Sequence, residues 1–453
     1  MSKINRHKLA KQLEVEKQLF IDRHPKSKAL FKKAKSSLFD GVPMPWMVEW
    51  PYPFPVFVKE ASGASITDVD GIQYVDFCLG DTGAMTGHSP QASMDALISQ
   101  ARKGLTFMCP TEDAIWVGEE LGRRFGLPYW QLAMTATDAN RFSIRLARHI
   151  TGRKKILVYN YCYHGTVDEA QIVLIDGKPQ TRKGNIGSPI DPIETSKVIE
   201  FNDIKALEAA LAPGDVACVL AEPAMTNIGI IHPDPGYHQA LREITKKTGT
   251  LLILDETHTI SAGVGGYTRE HSLSPDILTI GKPIASGFPA AAYGFSQEVA
   301  QLIGERVGHK ESSASDETGI GGTLSANGLA VATIKATLQD VLNDAAYDHS
   351  IPLAVKFNEG VQGVIDEYNL PWTVIQLGCR TEYWFCEKPV RNGSEALAAV
   401  DNDLDHYMHL AAMNHNILMT PFHNMALISP DTSQEDVDRH TAVFRECVGE
   451  IVD

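Results

Sequence analysis

The chain has 453 residues, of which 43% are hydrophobic, 21% charged and 8% aromatic, and its formal net charge is −15 at pH 7. This composition excludes the disordered and fibrous classes, and the length implies two or three domains rather than one simple core. The acidic balance, with no basic block beyond the N-terminal lysines, argues against nucleic acid or an acidic membrane surface as a partner.

The N-terminal stretch "MSKINRHKLAKQLEVEKQLF" is polar and lacks the apolar centre of a signal peptide. Residues 3–35 read as one or two amphipathic helices, with Leu9, Leu13, Leu19, Phe20 and Phe31 among lysines and glutamates. An exposed or dimer-capping helix is expected there. "GVPMPWMVEWPYPFPVFV" follows, too rich in proline for a regular helix. It reads as an extended segment at the edge of a site, carrying Trp46, Met47 and Trp50. "ASITDVDGIQYVDFCLG" reads as a hairpin turning at Asp70-Gly71.

From about residue 125, strands and helices alternate. "KKILVYN" (154–160), "VACVLAEP" (216–223), "TLLILDE" (250–256) and "DILTIGK" (276–282) are short Val/Ile/Leu-rich runs, as strands buried on both faces should be. Helical stretches such as "NDIKALEAALA" and "YHQALREITKKTG" separate them. The class is therefore α/β, with a mostly parallel sheet covered by helices. Ligands in such sheets bind beyond the carboxyl ends of the strands. "NGLAVATIKATLQDVLNDAAYDHS" is helical again, and a smaller α+β segment runs to the C-terminus. The expected division is 1–70, an N-terminal helical and extended segment belonging to the small domain and the dimer contact; 71–328, the large domain; and 329–453, a C-terminal small domain. The seven cysteines, Cys78, Cys109, Cys162, Cys218, Cys379, Cys386 and Cys447, form no C-x-x-C pair. Neither a structural zinc site nor a disulfide framework is expected, and a reducing compartment fits. No apolar run reaches the roughly 18 residues a membrane helix needs. A soluble cytoplasmic protein without a metal is the expectation.

Two strand ends carry charge. Asp255 closes the apolar run "LLILD", where a carboxylate is costly unless paired. It is either a structural acid bonded to backbone amides or the group that keeps a pyridine nitrogen protonated. Lys282 closes the next run, just before Pro283. It either snorkels to water along its aliphatic stem or adds its amine to a carbonyl as a Schiff-base lysine. In "MTATDANRFSIRLARHITG", Ala139, Phe142, Leu146 and Ile150 fall on one helical face. Thr135, Ala136 and Thr137 then lie at the helix N-terminus, where free amides and the macrodipole favour a phosphate. An ordinary N-cap is the competing reading.

The ordered set "MTATDAN", "YHG", "AEP", "LDE", "LTIGKPIASGFP" and "GGTLSAN" resembles the class III aminotransferases of fold type I. The resemblance is closest to the branch containing glutamate-1-semialdehyde aminomutase and related amine and β-amino-acid transaminases, and it runs from about residue 35 to the end. It implies a seven-stranded-type sheet sandwiched by helices, with a smaller domain built from both termini. It implies pyridoxal 5'-phosphate as cofactor, held by Lys282 as an internal aldimine, with Asp255 on the pyridinium nitrogen. Tyr163 is implied to stack on one ring face and Thr257 to lie against the other. Ala136 and Thr137 match the phosphate-holding Gly-Thr of the family's "SGTEA". Thr323 matches a threonine that reaches the phosphate from the neighbouring subunit, which implies a homodimer with shared active sites. Glu222 and Asn227, in "EPAMTN", match positions near the ring.

The departures bear on substrate. The aminomutase pattern "GVNSPVR" ends in an arginine that grips the substrate carboxylate, and this chain reads "GVPMPWM", with Met47 in its place. Where relatives have "APSQFE" or "SPRG", this chain has "TPFHNM", with Phe422 and His423. With Trp46 and Trp50 nearby, an apolar substrate pocket is expected. The first expectation is transfer of an amino group from a primary amine or an ω- or β-amino acid to a 2-oxo acid such as pyruvate. The alternative is an intramolecular 2,1-aminomutase, and a non-enzymatic binding homologue is disfavoured by intact Lys282, Asp255, Tyr163 and Thr323. Arg380, in "LGCRTEYWF", is either the partner of the acceptor carboxylate or a surface ion pair of little consequence.

Overall fold

The apolar runs assemble into one seven-stranded sheet. In the computed structural model, which describes residues 4–307 and 319–453, its strand order is Tyr129–Ala133, Ala291–Phe295, Ile277–Ile280, Leu251–Asp255, Val216–Ala221, Lys155–Tyr159, Ser196–Ile199. Ala291–Phe295 runs antiparallel to both its neighbours, and the remaining pairings are parallel. Every residue of Val216–Ala221 and Ile277–Ile280 is buried, as strands covered on both faces require. Helix Ala136–Thr151 packs across the central strands, and Tyr237–Thr248 packs on Leu251–Asp255.

The register matters for the site. Asp255 pairs with Thr279, and the amide of Glu256 donates to the Thr279 carbonyl at 2.8 Å. The ends of these two parallel strands therefore lie side by side, with Asp255 on one and Lys282 just past the other. The sheet and its helices form one compact unit, 91–344 with 390–398.

A second unit comprises 1–90, 345–389 and 399–453. The hairpin is present: Ser65–Asp68 pairs antiparallel with Gln73–Asp76, and Gly71 has φ of 90° at the turn. Val58–Ser62 and Ile417–Leu418 complete a four-stranded sheet, while Thr373–Leu377, Arg380–Trp384 and Met425–Leu427 form a three-stranded one. The divisions fall at 90/91 and 344/345, against the expected 70/71 and 328/329. Strand Gln73–Asp76 pairs with Ile417–Leu418 from the C-terminal segment, which draws the whole hairpin into the smaller unit. Helix Gly328–Ala336 packs on Gln91–Ala101 and Asp113–Phe125, which keeps it with the larger one.

The N-terminal helix, Arg6–Arg23, differs from the exposed element expected. Leu9 is 1% exposed and joins a core with Phe357, Tyr407 and Phe444. Phe20 is fully buried and stacks on Tyr52 at 5.2 Å. The helix thus contributes two anchors to the core, while Val15 and Leu19 stay exposed. The proline-rich segment follows a short 3-10 turn at Phe39–Gly41 and holds another, Pro45–Val48, consistent with the exclusion of a regular helix.

Candidate active site

Three loops and one helix end meet at the carboxyl edge of the large sheet. Helix Ala136–Thr151 starts where its sequence says it should. Thr135 is extended and its hydroxyl accepts from the amide of Asp138 at 3.2 Å, so the amides of Ala136 and Thr137 head the first turn. Thr137 Oγ1 accepts from the amide of Thr166 at 3.2 Å. Gly165, with φ of 81°, sits so close that a Cβ there would fall 2.0 Å from Thr137 Oγ1. Hence the glycine of "YHG". On the other side, a Cβ on Gly281 would lie 3.0 Å from Ala136 Cβ. Lys282 is therefore delivered directly beside the helix N-terminus.

Asp255 is 5% exposed and well partnered. Its Oδ2 accepts from His164 Nδ1 at 2.9 Å and from Asn140 Nδ2 at 2.8 Å, and its Oδ1 accepts from the amide of Thr257 at 3.1 Å. Burial alone would push this carboxyl up, but the bond and charge of His164 and the bonds from Thr257 and Asn140 bring it down to about 2. His164 is buried too, which disfavours its cation, yet Cys162 and Asp255 beside it raise it well above the ordinary histidine range. Asn140 is fixed in turn by the Thr279 hydroxyl, which donates to its Oδ1 at 2.6 Å. The result is a buried carboxylate kept ionised, with its amide-bonded Oδ1 retaining lone-pair capacity.

Lys282 is half-buried, with φ of 45°, and its Nζ lies 2.5 Å from His258 Nε2. Thr257 is buried, and its Oγ1 has no hydrogen-bond partner among the described residues. Glu222 is buried, and its carboxyl is raised chiefly by that burial. Its Oε2 takes the amide of Thr226 at 3.0 Å and the Thr226 hydroxyl, while Oε1 has no partner among the described residues. Asn227 Nδ2 donates to the carbonyl of half-buried Tyr163 at 3.3 Å, which ties the two loops together. Lys282, Asp255, Thr257, Ala136, Thr137, Tyr163, Glu222 and Asn227 thus belong to one connected region of the larger unit. Asn140, His164 and His258 join them, three residues that sequence reasoning left without a role. Asn140 and His164 stand inside the quoted motifs "MTATDAN" and "YHG", and His258 follows "LDE" by two positions, so all three could have been asked about there.

Thr323 is exposed, on the turn before the Asn327 cap of helix Gly328–Ala336. The expected substrate residues lie in the smaller unit. Trp46 and Phe422 meet edge to face, 5.9 Å between ring centroids, and Met47 beside Trp46 is exposed. Trp50 stacks on Tyr52 at 5.5 Å. Arg380 is 1% exposed, so the surface ion-pair reading of it is wrong. It opens the strand Arg380–Trp384, donates to the Thr82 hydroxyl and lies 3.3 Å from Met425 Sδ. A guanidinium is placed in such a position only when bonded groups hold it there.

A pyridine ring carrying a phosphate and an aldehyde fits the larger unit's donor set. The helix N-terminus suits the phosphate, the ionised Asp255 suits a protonated ring nitrogen, and Lys282 suits the aldehyde. The buried Thr257 Oγ1, with no hydrogen-bond partner among the described residues, is a polar atom that a bound group could satisfy. The fold and these groups define a fold type I enzyme dependent on pyridoxal phosphate.

Comparison with known proteins narrows the class. The family model for class III aminotransferases matches residues 47–400, and the chain belongs to that family. A glutamate-1-semialdehyde 2,1-aminomutase of Methanosphaera stadtmanae is 31% identical over 420 residues, covering 91% of this chain and 96% of that one. The enzyme of the same name from Sorangium cellulosum is 32% identical, covering 94% and 97%. Among solved structures, a glutamate-1-semialdehyde-aminomutase from Pseudomonas aeruginosa PAO1, in complex with PMP, superposes with a TM-score of 0.96 at 45% identity, over 99% of each chain. An omega-transaminase from Sphaerobacter thermophilus superposes with a TM-score of 0.86 at 26% identity, over 95% and 99%. These names favour the intramolecular aminomutase, the alternative expectation, over the amine transaminase expected first.

Proposed function

We propose that the protein catalyses amino-group transfer of the 2,1-aminomutase type on a semialdehyde of an acidic amino acid, with pyridoxal phosphate carried by Lys282. The observation that carries this reading is the near-complete coverage of relatives that bear the aminomutase name. When bound, the cofactor supplies an electron sink for charge that develops on the substrate carbon. The chain's own residues do the rest. Asp255 Oδ1 holds the ring nitrogen's proton, and the ion pair with His164 keeps that carboxylate charged. The amides of Ala136 and Thr137 hold the phosphate. Lys282 Nζ takes a proton from one substrate carbon and returns it to the next. Tyr163 and Thr257 would border the ring when it is bound, with Glu222 and Asn227 fixing the loop behind Tyr163. Thr323 reaches the phosphate of the neighbouring subunit in a homodimer. Arg380 is the candidate for the substrate carboxylate, since Met47 offers no charge.

A second reading, transamination between an uncharged amine and pyruvate, is favoured by Met47 and by the aromatic pair Trp46–Phe422. Losing one charged hydrogen-bond partner removes about 1.5–3 kcal/mol, roughly tenfold or more in affinity. One experiment separates the two. The holoenzyme is given glutamate-1-semialdehyde with no 2-oxo acid, and formation of the 2,1-amino isomer is followed by chromatography. Turnover supports the aminomutase. No turnover, together with amine-dependent conversion of pyruvate to alanine, establishes the transaminase, and Met47→Arg should then shift preference towards carboxylated donors.

A further inference from the structure

One residue of the strand-end motif "LDETHT" remains without a function. The two acids before it are committed elsewhere: Asp255 to His164 and Asn140, and Glu256 to the Thr259 hydroxyl at 2.5 Å and the amides of Tyr267 at 3.2 Å and Thr268 at 2.5 Å. His258 points its Nε2 at the amine of Lys282, 2.5 Å away, and is itself only 6% exposed.

An aliphatic amine carries a proton at neutral pH, and only its neutral form adds to a carbonyl. A buried imidazole in direct contact has one nitrogen able to accept that proton.

From this geometry we infer that His258 is the proton acceptor for Lys282. Its Nε2 takes the ammonium proton, the Nζ–H bond breaks as an Nε2–H bond forms, and the positive charge moves to the imidazole. The freed lone pair then adds to an aldehyde carbon, and water leaves as the carbon–nitrogen double bond closes. The inference rests on Lys282 being the cofactor-bearing lysine.

The test uses apo-protein and a non-cofactor electrophile. Acetic anhydride is applied in trace amounts, and acetylation of Lys282 is measured by peptide mass spectrometry against exposed Lys26 in the same sample. His258→Gln keeps a hydrogen-bonding side chain but cannot carry a proton. Its Lys282-to-Lys26 labelling ratio should fall at least tenfold at neutral pH. The pH profile of labelling should lose a step present in the wild type. His258→Asn serves as the second variant, and melting curves confirm folding of both. A wild-type labelling ratio and profile in either folded variant overturns the inference. Borohydride reduction of wild-type holoenzyme separates the two levels: an adduct on another lysine removes the assignment of Lys282 itself. An adduct on Lys282 together with unchanged labelling in His258→Gln removes only the role of His258.

Discussion

Replacing Asp255 by asparagine changes one atom and removes the charge around which three donors are arranged. A carboxyl whose ordinary value is 3.8 and which is held at about 2 contributes on the order of 2 kcal/mol to folding at neutral pH. The sign follows from the depression. The contribution is complete above the unfolded value of 3.8 and is lost as pH falls through the folded value near 2. The amide of the variant forfeits it and also leaves His164 buried without its counter-charge, a situation that typically costs about 3–5 kcal/mol unless the imidazole gives up its proton. We expect the apo-protein of Asp255→Asn to lose about 3 kcal/mol in urea unfolding at pH 7, and little of that difference to remain near pH 2. Turnover should fall further than stability explains. An amide cannot balance a protonated ring nitrogen, and the loss of one charged hydrogen bond, about 3 kcal/mol, corresponds to roughly a hundredfold in kcat/KM. The two assays are unfolding of apo-protein and steady-state turnover of holoenzyme, each with wild type alongside. A folded variant turning over within threefold of wild type would refute the electronic role and leave Asp255 as a structural acid.

Lys282→Ala should bind the cofactor without a covalent bond and lose turnover, and borohydride should fix label in the wild-type peptide "IGKPIASGFP" alone, as read by peptide mapping. Gly165→Ala forces a methyl against Thr137 Oγ1 at a left-handed φ; cofactor affinity in equilibrium dialysis should fall about tenfold or more, with the sheet intact by circular dichroism. Mixing Lys282→Ala chains with chains disabled at Thr323 should restore activity through hybrid dimers, and a strictly monomeric, fully active protein would exclude a shared site.

The strands and the helix Ala136–Thr151 were legible because burial writes itself into composition: "VACVLA" and "ILTI" have no exposed position to fill. Asp255 and Lys282 stood out because a charge at the end of such a run is anomalous. His164 and Asn140 did not, because their link to Asp255 spans 91 and 115 positions and no local pattern encodes it. The burial of Leu9 was hidden for the same reason, since the core that receives it is made largely of C-terminal residues, and Phe20 packs with the distant Leu410 and Met413 as well as with Phe54 and Tyr74. For Arg380 the sequence left open a carboxylate partner or a surface ion pair, and the burial of Arg380–Trp384 along its whole length removes the second. The first expectation about the reaction rested on Met47 and Phe422, which stand outside the regular strands and α-helices, where sequence pattern carries least.

The backbone of Lys282, at φ of 45°, occupies the left-handed region that a side chain with a Cβ normally avoids at a cost of about 1–2 kcal/mol. Glycine or asparagine would occupy it with less strain. Folding and chemistry therefore pull this position in opposite directions. A search for heat-resistant variants that scores only the folded state would be drawn to Lys282→Gly or Lys282→Asn and would deliver a sturdier protein with no amine to offer. Any programme to harden this scaffold has to hold residue 282 fixed and look for its gains elsewhere.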